Sequence, residues 1–184
     1  MKRLVGITVV LLLASSCHSQ QNKWVKLAQK DGSQLYDLYS VDFVDSLKGW
    51  CGGQAIYRTT DSGITWTSFS VPMIPQAISM ADSFVGWAAG FDGTEGKVYR
   101  TTDAGLSWAR QYGVLWHGFV GTAALSRTKN ITTGSIRNCP LCTDTGKIAQ
   151  TTDGGLTWQE MTTADSIQGL TQVQFVDSLH GWIV

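Results

Sequence analysis

One eight-residue segment recurs three times along this chain, and it constrains the fold more than any other feature. Thr59-Thr60-Asp61-Ser62-Gly63-Ile64-Thr65-Trp66 returns as Thr101-Thr102-Asp103-Ala104-Gly105-Leu106-Ser107-Trp108 and as Thr151-Thr152-Asp153-Gly154-Gly155-Leu156-Thr157-Trp158. Each copy follows a short strand-like run, at residues 55–58, 97–100 and 147–150. The aspartates Asp61, Asp103 and Asp153 are 42 and 50 residues apart, a period that belongs to repeat architectures in which each unit is one small sheet.

A second motif interleaves with the first. Phe43-Val44-Asp45-Ser46-Leu47-Lys48-Gly49-Trp50 matches Met80-Ala81-Asp82-Ser83-Phe84-Val85-Gly86-Trp87 and Phe175-Val176-Asp177-Ser178-Leu179-His180-Gly181-Trp182. The third unit carries a worn version, residues 124–131, with Asn130 in place of the glycine. Both motifs read as turns. In the first, the Asp carboxylate accepts N–H groups of its own turn while Gly63, Gly105 or Gly155 supplies a positive φ. In the second, Asp-Ser opens a hairpin loop and Gly closes it, and Asn130 is expected in a left-handed turn position. Six of the eight tryptophans fall in these motifs, at the start of strands, and are expected to pack.

Each unit then holds four short strands, about 38–44, 49–53, 55–60 and 65–70 in the first, which makes a four-stranded blade of an all-β propeller. The predicted blades cover about 35–72, 73–112 and 113–162, with an incomplete one at 163–184. An insertion near residues 135–144 lengthens the third. Twenty glycines against three prolines suit many tight turns, and the absence of helix-length periodicity between strands argues against a parallel α/β sheet. Formal net charge is zero, which gives no basic field for nucleic acid.

The N-terminus reads differently. Lys2 and Arg3 precede an apolar run at residues 4–13, too short to span a bilayer, and Ala14, Ser15 and Ser16 lead into Cys17. Residues 1–16 resemble a bacterial lipoprotein signal, which implies lipidation of Cys17. The alternative is an ordinary secretory signal. Either places the chain outside the cytoplasm; the first anchors it to the cell envelope, at the outer membrane in a Gram-negative host. Membrane contact is then by the lipid anchor alone. Residues 17–34 would form a tether with an isolated outer strand at 24–27.

The three eight-residue copies resemble the Asp-box, or BNR, repeat. Their combination with Phe-x-Asp-Ser-x-x-Gly-Trp is similar to the photosystem II stability/assembly factor family. The resemblance covers about residues 35–184 and implies a β-propeller. It also implies a ring of more blades than this chain holds, so truncation is expected, with a half-ring closed by dimerisation as the rival. Its photosynthetic members bind newly made photosystem II subunits, which implies a protein-binding or assembly scaffold in the envelope.

Sialidases and some endoglucanases also carry Asp boxes, so a glycan-binding protein or glycoside hydrolase is the alternative, with part of its catalytic set outside this sequence. That chemistry needs two carboxylates flanking a bond, or an arginine cluster with a tyrosine nucleophile. Six of the fourteen acids (Asp45, Asp61, Asp82, Asp103, Asp153 and Asp177) are assigned to turns. The others, such as Asp37, Asp42, Asp92, Glu95 and Asp165, show no certifiable pairing. No catalytic residue is assigned and no enzyme activity is expected.

Cys139 and Cys142 form a CxxC pair read as a local disulfide in an oxidising compartment. No second pair exists to complete a metal site, and no cofactor is expected. Cys51 follows Trp50 in a strand and is expected to be a buried thiol. In propellers the Asp-box turns lie opposite the usual ligand face. That face would be built by the loops from second to third strand and from fourth strand to the next first, which hold Tyr36, Asp92, Glu95, Tyr112, Trp116, His117 and Arg137.

Overall fold

In the computed structural model, residues 37–115, 117–136, 146–161 and 169–184 are described here. Every regular element among them is a strand. The first sheet is β1 (Ser40–Phe43), β2 (Gly49–Gly52), β3 (Ile56–Thr59) and β4 (Thr67–Phe69). The second is β5 (Ile74–Met80), β6 (Gly86–Phe91), β7 (Glu95–Thr101) and β8 (Ala109–Leu115). The third is β9 (His117–Ala124), β10 (Asn130–Ile136), β11 (Gly146–Thr151) and β12 (Gln159–Met161), and β13 (Val173–Phe175) pairs with β14 (Gly181–Ile183). Strands neighbour in chain order and all pairings are antiparallel, so the chain is an arc of a β-propeller with three four-stranded blades and a two-stranded one.

The hairpin between first and second strand is built the same way in every blade. Asp45 Oδ1 accepts the N–H groups of Leu47 (2.8 Å) and Lys48 (2.7 Å). Asp82 does this for Phe84 and Val85, and Asp177 for Leu179 and His180. In the worn copy Ser126 takes over, its hydroxyl accepting from Thr128 (3.2 Å) and Lys129 (3.0 Å). A short polar side chain that closes its own turn is all the position requires.

The glycine of this motif has another cause than the one expected. Gly49, Gly86, Gly181 and Asn130 are not left-handed; they lie in extended strands. Each faces a residue across the strand pair: Gly49 faces Phe43, Gly86 faces Met80 and Gly181 faces Phe175. A Cβ at Gly49 would lie 2.5 Å from the Phe43 ring, and one at Gly86 would overlap Met80 Sδ. Asn130 faces Ala124, which leaves room for a side chain. Its amide donates to Thr122 Oγ1 (2.9 Å) and the Ala123 carbonyl (3.1 Å) and is fully buried. The exchange of Gly for Asn tracks the size of the opposing residue.

The core lies between blades. Trp50 is 0% exposed and packs with Ile56 against Ile78, Met80, Ala88, Tyr99 and the Ala104–Trp108 turn of the next blade. Its Nε1 donates to the Ala104 carbonyl at 3.0 Å. Trp87 is packed in the same way one blade on, meeting Trp158 edge-on at 5.9 Å and lying on Phe119, but its buried Nε1 has no hydrogen-bond partner. Truncating such a side chain costs roughly 3–5 kcal/mol. Trp182 holds the same repeat position but is 62% exposed, contrary to the expectation that all six motif tryptophans pack. Among the described residues no sheet follows β14 to cover it. On the far side of the first sheet, Trp66, Tyr57, Leu38 and Cys51 form a smaller cluster. Cys51 is buried and unbridged, and burial pushes its thiol up to about 12.

Candidate functional site

The three Asp boxes form one repeated hydrogen-bond unit. Thr59 Oγ1 donates to Asp61 Oδ1 (2.7 Å) and accepts the Gly63 N–H (2.9 Å). Asp61 Oδ1 accepts the Thr65 N–H (2.8 Å) and its Oδ2 accepts the Thr65 hydroxyl (2.5 Å). Thr101, Asp103, Gly105 and Ser107 repeat this, as do Thr151, Asp153, Gly155 and Thr157. Positive φ occurs at Gly63, Gly105 and Gly155, and also at the residue before each: Ser62 (63°), Ala104 (64°) and Gly154 (78°). Burial raises the Asp61 and Asp103 pKa values, but the hydrogen bonds from Thr65 or Ser107 outweigh it, bringing Asp103 to about 2. The Thr157 hydroxyl and N–H hold Asp153 at about 2.

Each Asp box is fastened to the first hairpin of its own blade. The N–H groups of Ser62, Ala104 and Gly154 donate to the carbonyls of Leu47, Phe84 and Thr128 at 2.9–3.0 Å. Both sets of turns therefore share one side of the arc, and their carboxylates are engaged in backbone and hydroxyl contacts. Arg127 reaches across from the third blade to pair with Asp82 of the second. Trp66 Nε1 donates to the Gly63 carbonyl, whereas Trp108 and Trp158 are half-buried with their Nε1 atoms unpaired.

On the opposite side the candidate residues divide. Asp92 lies in the β6–β7 turn, where its Oδ1 accepts from Thr94 and Glu95; its partner Lys97 (2.6 Å) chiefly holds its pKa well below the usual range. Glu95, Tyr112 and His117 do not sit in loops as expected: they lie at the start of β7, inside β8 and at the start of β9. Glu95 pairs with Arg110. The Tyr112 ring stacks on Trp158 at 4.8 Å and contacts Phe119, and its hydroxyl donates to Glu160 Oε1 (2.5 Å), while Glu160 Oε2 pairs with Lys147. Burial first, then Glu160, raises the Tyr112 pKa. Tyr112 is thus an interblade packing residue, because strand alternation points it at the next blade. His117 Nδ1 lies 2.8 Å from the Leu115 carbonyl. Tyr36, Trp116, Arg137, Asp165, Cys17, Cys139, Cys142 and the strand expected at 24–27 lie outside the described residues.

A cavity of about 470 Å³ opens between the inner strands of all four sheets. Tyr39, Ser40, Val41 and Asp42 line it from the first, Gln76 to Ser79 from the second, residues 120–122 from the third and residues 171–173 from the last. Side chains stitch these strands across the blade boundaries. Ser40 Oγ accepts the Ile78 N–H (3.0 Å), Asp42 Oδ2 accepts the Met80 N–H (2.6 Å), and Ser79 Oγ accepts the Ala124 N–H (3.0 Å). Burial raises the Asp42 pKa, partly offset by the Met80 N–H. None of the described loop residues expected to form a ligand face lines this cavity. The signal was available, since Asp42 and Ser79 hold one repeat position, three residues before Asp45 and Asp82. Among the described residues no cluster of three or more His, Cys, Asp or Glu could hold a metal ion.

Repeated four-stranded blades with Asp-box turns on one side and a cavity between inner strands define the class as a β-propeller of the Asp-box type. No protein-family model matches the chain, and no curated protein matches it. Among solved structures, YCF48 bound to D1 peptide aligns over 72% of this chain and 42% of its own, at 23% identity and a TM-score of 0.57. YCF48 from Cyanidioschyzon merolae aligns over 74% of this chain and 46% of its own, at 20% identity and a TM-score of 0.55. A GH74 enzyme from Niastella koreensis aligns over 88% of this chain and 30% of its own, at 17% identity and a TM-score of 0.66. The chain thus spans less than half the length of each of these proteins, and at such identities the likeness is one of fold.

Proposed function

We propose that this chain is part of a lipid-anchored, extracytoplasmic propeller that serves as a non-catalytic protein-binding or assembly scaffold. The observation that carries the reading is the state of the carboxylates. Asp45, Asp61, Asp82, Asp103, Asp153 and Asp177 close turns, and Asp92, Glu95 and Glu160 pair with Lys97, Arg110 and Lys147. Groups held this way stabilise a rigid frame and are poorly placed to exchange protons with a substrate. The fold shared with YCF48, whose structure has been solved with a D1 peptide bound, supports a peptide- or protein-binding role. The sequence at residues 1–17 supports the anchor.

The test is capture from detergent-solubilised envelope by the full-length protein, followed by washing at rising salt. A single partner retained at high salt is expected; recovery of only salt-sensitive, heterogeneous proteins would count against the scaffold. The GH74 likeness favours one rival, a glycoside hydrolase. Release of sugar from a polysaccharide panel, abolished by neutralising one carboxylate, would replace the scaffold reading with that one.

A further inference from the structure

The cavity between the inner strands carries a lining that selects ligands by chemistry. Among the described residues no lysine, arginine or histidine lines it, and the one carboxylate there, Asp42, accepts the Met80 N–H through Oδ2. Anions find no counter-charge there, and cations find only a carboxylate that is already engaged. The side chains not used to stitch blades together include the Gln76 and Gln172 amides and the Tyr39 ring, which is about half exposed. An amide offers both donors and an acceptor, which is what a ligand rich in hydroxyl groups needs.

Two of the strand edges disfavour a common alternative. Among the described residues β1, β5, β9 and β13 each end the strand order of their sheet, so each has one edge without a described strand partner. An added peptide strand would need the free N–H groups of such an edge in regular alternation. Side chains already take them at Ile78, Met80 and Ala124, on β5 and β9. Main-chain pairing is therefore obstructed along β5 and at the end of β9, while the amides and the tyrosine face remain. At the wall of the cavity, where β9 has Gly121, the Thr133 hydroxyl is fully buried without a hydrogen-bond partner, in the gap that a side chain on Gly121 would fill.

We propose that this cavity binds a short neutral oligosaccharide, with the Gln76 and Gln172 amides bonding its hydroxyl groups and the Tyr39 ring covering an apolar sugar face. The volume of about 470 Å³ falls among small-ligand sites, which span roughly 300–1,000 Å³. Such a site is independent of any protein partner and stands whether or not the scaffold reading does.

The experiment is calorimetric titration of the full chain with four probes: neutral cello- and xylo-tetraose, an anionic galacturonate tetramer, and a neutral tetrapeptide. Binding of at least one neutral tetrasaccharide is expected. Gln76→Ala and Gln172→Ala should each weaken it about 2- to 10-fold, the range for one hydrogen bond, and Tyr39→Ala by about 10-fold. Leu156→Ser, on the Asp-box side, should leave it unchanged. Thermal melts of each variant report whether it is folded; Gln172 is exposed, so its removal keeps the test valid if Gln76→Ala unfolds. The proposal is overturned if no neutral tetrasaccharide binds tighter than about 10 mM. It is also overturned if binding survives in the folded variants, or if the galacturonate or the peptide binds better.

Discussion

Replacing Thr101 by valine should be far more damaging than the same change at Thr102, although the two are adjacent and identical in every repeat. The Thr101 side chain is buried, donates to Asp103 Oδ1 at 2.8 Å and accepts the Gly105 N–H at 2.8 Å, whereas Thr102 is exposed. Valine keeps the shape and deletes these bonds, together with a longer one from the Asp103 N–H (3.3 Å). Each is worth about 0.5–1.5 kcal/mol net, and leaving the buried Gly105 N–H without an acceptor brings the cost to the desolvation range of about 1–3 kcal/mol. A loss of about 2–4 kcal/mol is expected for Thr101→Val, against about 0.5 kcal/mol or less for Thr102→Val. Thr101→Ser retains the hydroxyl and should recover most of the loss. Because blades of a repeat protein can open separately, a global melt should be joined by hydrogen exchange at the Gly105 amide. Protection there should fall in Thr101→Val alone. Equal destabilisation by the Thr101 and Thr102 changes, or a serine variant as weak as the valine one, would refute the assignment of the hydroxyl as the keystone of the turn.

The same geometry makes further expectations. Gly86→Ala should destabilise by about 1–3 kcal/mol through overpacking against Met80, and Gly86→Ala with Met80→Ala should show a favourable coupling in a double-mutant cycle of urea midpoints, mimicking Asn130 opposite Ala124. Ser62→Gly should stabilise by about 0.5–1 kcal/mol, since Ser62 holds φ 63° where the third repeat already has Gly154; no gain in the urea midpoint would mean the serine side chain offsets the strain. Asp103 and Asp153 sit at about 2 when folded, below the ordinary 3.8, so the stability they give is complete above pH 4 and is lost as pH falls toward 2. Asp42, raised by burial, works in the opposite sense. An acid titration followed by tryptophan fluorescence should show a shallower transition in Asp103→Asn.

The parts of this fold that sequence could show are those held by local bonds. Asp61, Gly63 and Thr65 close one turn within five residues, and three copies of that turn make its chemistry readable. Asp45 and Asp82 were legible for the same reason, even in the worn copy where Ser126 acts instead. Two things within those motifs were not. The choice between the paired threonines depends on which one faces the core, and the second left-handed residue, Ser62 or Ala104, carries no glycine to announce it. The role of Gly49, Gly86 and Gly181 is hidden in the sequence because its cause is a neighbour across the strand, visible only once register is known.

The binding surface was less legible because blade-to-blade contacts reassign side chains that look free. Tyr112 reads as an aromatic in a polar segment, yet its ring is sandwiched into the next blade and its hydroxyl is taken by Glu160. Asp92 and Glu95 read as unclaimed acids, yet Lys97 and Arg110 hold them. The reverse holds for Tyr39, Gln76 and Gln172, which attract no attention in the sequence and line a shared cavity. They come from three different blades; Tyr39 and Gln76 share one repeat position, six residues before Asp45 and Asp82, while Gln172 lies five before Asp177. What joins them is that the first strand of every blade faces the same interior, a consequence of the repeat itself. In a propeller the repeat positions that stay constant build the frame. A ligand site is then better sought where equivalent inner-strand positions differ from blade to blade, as at Tyr39, Gln76, Val120 and Thr171, than among the residues that recur.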